Sequence, residues 1–112
     1  MTASLEGRCH CGAITIVLAA PPTQILQCNC SLCAKTGWMG VYGHPDAISI
    51  FGAENCTGYV QGDRTITVWH CRTCGIPTHW TPLTAPPDRM GVNIRLFVPE
   101  LWSDIPDRKS VV

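Results

Sequence analysis

Seven of the eight cysteines in this 112-residue chain fall into three tight clusters: Cys9-His10-Cys11-Gly12, Cys28-Asn29-Cys30-Ser31-Leu32-Cys33 and Cys71-Arg72-Thr73-Cys74-Gly75. Cys56 stands apart. Two thiolates one or two residues apart can converge on one metal ion from a single turn. A glycine after the second cysteine lets the backbone take positive φ beside the sulfurs. The two clusters that end in glycine supply four thiolates, Cys9, Cys11, Cys71 and Cys74, which closes a tetrahedral zinc site. The middle cluster supplies three, Cys28, Cys30 and Cys33, and leaves one position vacant. A closed site holds a fold; an open one can bind a ligand and do chemistry. The expectation is two zinc ions, one structural and one catalytic.

An even number of cysteines in a small chain also suggests a disulfide framework. Two features oppose it. The amino-terminal residues Met1 to Arg8 carry neither a basic segment nor an apolar one, so the expected location is the cytoplasm, where thiols stay reduced. Disulfides within Cys-x-Cys or Cys-x-x-Cys would also close short, strained rings. Two further alternatives remain: a non-enzymatic structural zinc module that mediates a protein interaction, and a metal-free cysteine redox sensor built on Cys28, Cys30 and Cys33. Cys56 separates the first from an enzyme, because a fourth thiolate at the middle cluster would fill the position that catalysis needs. Read by itself, Cys56 is a small buried hydrophobe.

The elements that must position these cysteines read as strands. Ile14, Ile16 and Leu18 alternate with Thr15 and Val17, Ile66 and Val68 with Thr65 and Thr67, and Val92, Ile94 and Leu96 with Asn93 and Arg95. Shorter candidates cover 23–28, 39–43, 47–51, 57–60 and 78–81, each bounded by Gly, Pro, Asn or Asp. Nine prolines and ten glycines cut the chain too often for long helices, and the one helical turn expected is 31–36, with Ser31 as its cap. Residues 1–112 then form a single domain with its core at about 7–101, which buries about two-thirds of its unfolded surface and leaves a modest core that a structural metal supports. Apolar residues make up 46% and charged residues 14%, with eight acids balancing eight bases, so there is no basic field for nucleic acid. The longest uncharged apolar stretch, 13–27, is interrupted by Pro21 and Pro22 and is too short to span a bilayer.

The three cysteine signatures, Gly7 to Gly12, Cys28 to Gly37 and His70 to Gly75, together with the late segment Met90 to Leu96, resemble those of the glutathione-dependent formaldehyde-activating enzyme family, which shares its domain with centromere protein V. The resemblance runs from about Gly7 to Leu101. It implies an all-β fold of small stacked antiparallel sheets, a β-tent, clamped by a four-cysteine structural zinc site. It assigns Cys9, Cys11, Cys71 and Cys74 to that site and Cys28, Cys30 and Cys33 to a catalytic zinc. The implied activity is that of a carbon–sulfur lyase of the S-(hydroxymethyl)glutathione synthase type. Its partner is a small thiol or thiol adduct, glutathione in the family's named reaction.

A site of three thiolates leaves zinc a weak Lewis acid, better suited to holding a substrate thiolate than to making hydroxide. His10, His44, His70 and His79 are the candidates for a general acid, and each reads first as structural. Trp38 follows the middle cluster closely enough to wall a substrate pocket, while Asn93 and Arg95 are candidates to meet a substrate carboxylate. The tail beyond Pro99 reads as irregular.

Overall fold

The computed structural model describes residues 5–28, 31–60, 62, 64–84, 86–105 and 108–111, with the backbone alone at 27, 28, 33 and 108–111. The strands are β1 (Glu6–Arg8), β2 (Thr15–Leu18), β3 (Ile25–Cys28), β4 (Gly40–Gly43), β5 (Ile48–Phe51), β6 (Cys56–Val60), β7 (Ile66–Cys71), β8 (Pro77–Pro82), β9 (Met90–Asn93) and β10 (Arg108–Val111). Two short helices, α1 (Ser31–Thr36) and α2 (Pro99–Trp102), and three 3-10 turns complete the order.

The strands form two sheets. β1, β2 and β5 make a three-stranded antiparallel sheet, and the larger one runs β10-β3-β4-β9-β8-β7-β6. The all-β, largely antiparallel architecture expected from the cysteine signatures is therefore the one observed. One pairing departs from it: β10 runs parallel to β3, with Arg108 opposite Ile25 and Val111 opposite Cys28.

Alternation in the sequence becomes burial in the fold. Along β2, Ile16 and Leu18 are buried while Thr15 and Val17 are half-buried, because a strand turns successive side chains to opposite faces. Ile14, Ile16 and Leu18 meet Ile25, Met39, Ile48, Val92, Ile94 and Phe97 in one core that also includes Cys9, Cys56 and Cys71. Each fully buried Ile or Val contributes about 1.5–3 kcal/mol relative to exposure.

The alternation over 92–96 does not continue as a strand. β9 stops at Asn93, whose side-chain oxygen accepts the Arg95 backbone N–H at 3.1 Å and starts the 3-10 turn Ile94–Leu96. A local side-chain bond has outcompeted the ladder there. Beyond it the tail is more ordered than its prolines suggest, since Pro99 opens α2 at the position where its missing N–H costs nothing.

Candidate metal centre

Two knuckles of closely similar build face each other across the sheets. The first follows β1: the Cys9 N–H donates to the Ile14 carbonyl at 3.1 Å, and the Gly12 N–H returns to the Cys9 carbonyl at 3.1 Å. The second ends β7: the Cys71 N–H donates to the Ile76 carbonyl at 2.9 Å, and the Gly75 N–H to the Cys71 carbonyl at 2.9 Å. Gly12 and Gly75 sit at φ of 83° and 79°, so the sequence expectation of a glycine-dependent turn holds at both. In each turn the backbone folds back on its first cysteine and carries the second round beside it.

The four sulfurs of Cys9, Cys11, Cys71 and Cys74 lie within 4.8 Å of one another. Sγ of Cys11 is 3.7 Å from that of Cys9 and 3.6 Å from that of Cys71. A tetrahedron with zinc–sulfur bonds of about 2.3 Å has sulfur–sulfur edges of about 3.8 Å. The cluster therefore has the dimensions and the soft donor set that one such ion requires.

Its electrostatics suit thiolates. Cys71 Sγ receives the N–H groups of Thr73 and Cys74, each at 3.4 Å, and the side-chain amide of Asn55 at 3.5 Å. Cys9 Sγ receives the Ile14 N–H at 3.4 Å. The Cys74 backbone N–H, ahead of burial, which opposes it, and the Thr73 N–H, brings the Cys71 thiol down to about 6. Cys74 also lies below its ordinary value; burial works against this, but the backbone N–H groups of Ile76 and Cys11 outweigh it. Cys11 is the exception, pushed up to about 11: the Ala13 N–H acts against the rise, and burial with the neighbouring thiols of Cys71, Cys9 and Cys74 overcomes it. The N–H donors thus favour the thiolate at Cys71 and Cys74, while the neighbouring thiols disfavour it at Cys11.

Asn55 gave no signal in the sequence. It is held by a second bond to Thr73 Oγ1 at 3.0 Å, and its carbonyl takes the Arg72 N–H at 2.7 Å, so it braces the knuckle from the turn before β6. Only the β6–β7 pairing brings it there.

The middle cluster occupies a strand–helix junction. Cys28 is the last residue of β3 and Cys33 lies within α1, the helical turn expected at 31–36, whereas Cys30 falls outside the described residues. Cys56 sits elsewhere. It opens β6 opposite Cys71, with four strands between β6 and β3, and is buried with its Sγ 3.9 Å from the Thr78 hydroxyl.

The other candidates sort by their contacts. Asn93 does not face a ligand: it is buried, donates to the Pro77 carbonyl at 2.9 Å and accepts from Arg95. Arg95 is exposed and its Nε donates to the Gly37 carbonyl at 2.8 Å, just after α1. His79 is buried, bonded to the Thr78 hydroxyl at 2.8 Å and stacked on Trp69, and burial brings its pKa down to about 4. It is thus a neutral structural group, as read. His44 caps a 3-10 turn by accepting the Asp46 N–H, and His10 lies exposed in the first knuckle. A cavity of about 470 Å3 opens at the Gly43 end of β4, between residues 18–24 and Arg89, and meets β3 at Leu26.

Among the described residues no helix is long and apolar enough to cross a membrane. A crystal structure of a Rhodobacter sphaeroides protein, solved as a structural-genomics target, matches with a TM-score of 0.77 and 33% identity over 95% of this chain and 99% of that one. A Halomonas elongata protein provisionally named a glutathione-dependent formaldehyde-activating enzyme is 39% identical over 61 residues, which is 49% of this chain and 39% of the relative. The profile of that family matches residues 4–100, nearly the whole described fold, and the chain belongs to the glutathione-dependent formaldehyde-activating enzyme family.

Proposed function

We propose that the protein is a zinc-dependent carbon–sulfur lyase acting on thiol adducts of formaldehyde, with a structural ion on Cys9, Cys11, Cys71 and Cys74 and a catalytic one on Cys28, Cys30 and Cys33. The observation that carries this reading is the division of the cysteines. Four thiols close one compact cluster, and Cys56 is engaged in the core behind it, which supports a middle site with three protein ligands. Bound zinc would hold a thiolate and keep it nucleophilic.

In the forward direction the thiol sulfur attacks formaldehyde. A carbon–sulfur bond forms, the carbonyl π bond breaks, and the thiol proton ends on the new hydroxyl; cleavage runs the same path in reverse. The chain's own part is to bring the two reactants together at the strand–helix junction, where Trp38, buried directly after α1, limits water. Glutathione is the thiol in the family's name, and its use by this protein is part of the proposal.

X-ray absorption on the zinc protein tests the reading. One closed and one three-cysteine site average about 3.5 sulfurs per ion, and an added thiol raises this toward four. A value of four without thiol, unchanged by any thiol, would mean a closed middle shell and end the lyase reading.

A further inference from the structure

One face of the seven-stranded sheet carries a row of side chains that neither metal site uses. Tyr42 pairs with Gly91, Gly91 with Trp80, Trp80 with Val68 and Val68 with Tyr59, so a single cross-strand row passes over β4, β9, β8, β7 and β6. At a strand spacing of about 4.8 Å, the row is about 19 Å long. Tyr42, Trp80 and Val68 are half-buried, and Tyr59 is 53% exposed. The rings lie on a floor that only glycine provides. A Cβ at Gly91 would stand 2.6 Å from Trp80 Cδ1, and one at Gly40 would stand 2.6 Å from Trp38 Nε1. The Trp38 indole donates to the Tyr42 hydroxyl at 3.3 Å, and the Tyr42 and Trp80 rings are 5.8 Å apart at 44°. Trp38, Tyr42 and Trp80 thus form one continuous aromatic ledge.

The ledge begins where the middle cluster is. Leu26 pairs with Gly40, so the strand end at Cys28 and the chain entering β4 at Trp38 lie at the same end of the β3–β4 pair. Leu26 and Gly40 share a face of that pair with Tyr42. Neither basic nor acidic groups occur among the row's residues, and Arg95, an exposed cation at this end, is already bonded to the Gly37 carbonyl. A tripeptide with two carboxylates finds little complement on such a surface; a flat apolar group finds ring faces to stack on.

We propose that the Trp38–Tyr42–Trp80 ledge is the substrate-side wall of the middle cysteine cluster and selects thiol adducts that carry an aromatic or flat apolar substituent. This rests on the lyase reading above, and deepens it by naming the substrate class. The substituent lies along the ledge while its sulfur reaches back toward the β3–α1 junction. Tyr42 also borders the cavity beside β4, so the wall is open at its other side.

The experiment compares turnover of the formaldehyde adducts of methanethiol, phenylmethanethiol and glutathione by the zinc-loaded protein. The phenyl adduct should have a kcat/KM about tenfold above that of the methyl adduct, the ratio that a good aromatic contact supports. Trp80→Ala should abolish this preference, Trp80→Phe should restore it, and Phe51→Ser, on the exposed edge of the other sheet, should leave it alone. Zinc content and thermal melts check that each variant folds, and Tyr42→Leu replaces Trp80→Ala if that one does not. Turnover with no phenyl preference, or a preference that survives Trp80→Ala, overturns the ledge while the lyase reading stands. No turnover of any adduct overturns the lyase reading, and the ledge is then judged by binding of phenylmethanol, followed at the Trp80 indole N–H by NMR. Saturable binding lost in Trp80→Ala supports recognition of an aryl group; no binding overturns it.

Discussion

The four-cysteine cluster and the middle cysteine segment of this chain are built on different principles. The closed cluster joins segments 60 residues apart, Cys11 to Cys71, so the fold must bring two distant knuckles together before its four sulfurs meet. The middle cluster is local: Cys28 and Cys33 stand at the two sides of one strand–helix junction. A long-range site reports and enforces the whole fold, whereas a local one can be loaded, emptied or altered without undoing it. Under the proposed function, that difference would separate a structural ion from a working one more sharply than ligand type does, since both sets are cysteine.

The most severe way to break the comparison is to remove a long-range ligand. Structural zinc in small domains contributes about 10–16 kcal/mol, as much as the whole net stability of about 5–15 kcal/mol. Cys9→Ser and Cys71→Ser should therefore lose the cooperative thermal melt and yield insoluble protein or an unfolded circular-dichroism spectrum. Well-folded variants at both positions would remove the structural role of the knuckle site.

The matching change at the local site should do much less to the fold and everything to activity. Cys28→Ser, Cys30→Ser and Cys33→Ser are expected to stay folded, lose one of two metal equivalents by elemental analysis, and show no turnover of thiol adducts. Collapse of any of these as complete as that of Cys71→Ser would make the middle site structural as well.

The sequence made the long-range pairing legible because the glycine knuckles are local signatures whose ligand counts must sum to four. The strands were equally readable where burial has period two, as at Ile14, Ile16 and Leu18. What escaped lies in relationships that only pairing creates. Asn55 acts on Cys71 across the β6–β7 hairpin, and the Tyr42–Gly91–Trp80–Val68–Tyr59 row draws on five strands whose order no local pattern states. Asn93 misled in a different way: the alternation around it is real, but its side chain bonds its own backbone and ends the strand. β1 and β10 were missed because three or four mostly polar residues carry no period to detect.

Acid should sharpen the comparison through a group in neither site. His79 in the folded chain sits near 4, below its ordinary 6.5, because burial penalises the imidazolium. Between those values the unfolded chain takes up a proton that the folded chain refuses, so this contribution is complete above about pH 6.5 and is lost as pH falls toward 4. The loss amounts to about 3 kcal/mol. Protonation of the knuckle thiolates destabilises in acid as well, but that loss depends on zinc. Melts from pH 7 to 4.5 at a fixed excess of zinc should show a shallower acid loss in His79→Gln, and the His79 ring should titrate near pH 4 by NMR. A His79 that titrates near 6.5 in the folded protein would contradict the buried neutral imidazole.

The smallest expected effect is the finest probe of the closed site. Asn55 places one N–H on Cys71 Sγ at 3.5 Å and touches no metal itself, so Asn55→Ala leaves all four ligands in place. A lost bond of this kind costs about 1 kcal/mol in stability, and a lost outer partner of a metal ligand typically weakens metal affinity about 10-fold or more. The variant should therefore fold, keep both metal equivalents at rest, and surrender one of them to a competing chelator about ten times more readily than the parent. Asn55→Asp removes the same N–H and adds a negative charge beside a thiolate, so it should lose that ion more easily still. Turnover of thiol adducts should not change in either variant if the ion braced by Asn55 serves the fold, as proposed. If both variants lose activity in step with zinc, the two sites are not separable, and the division between a long-range structural ion and a local working one does not hold.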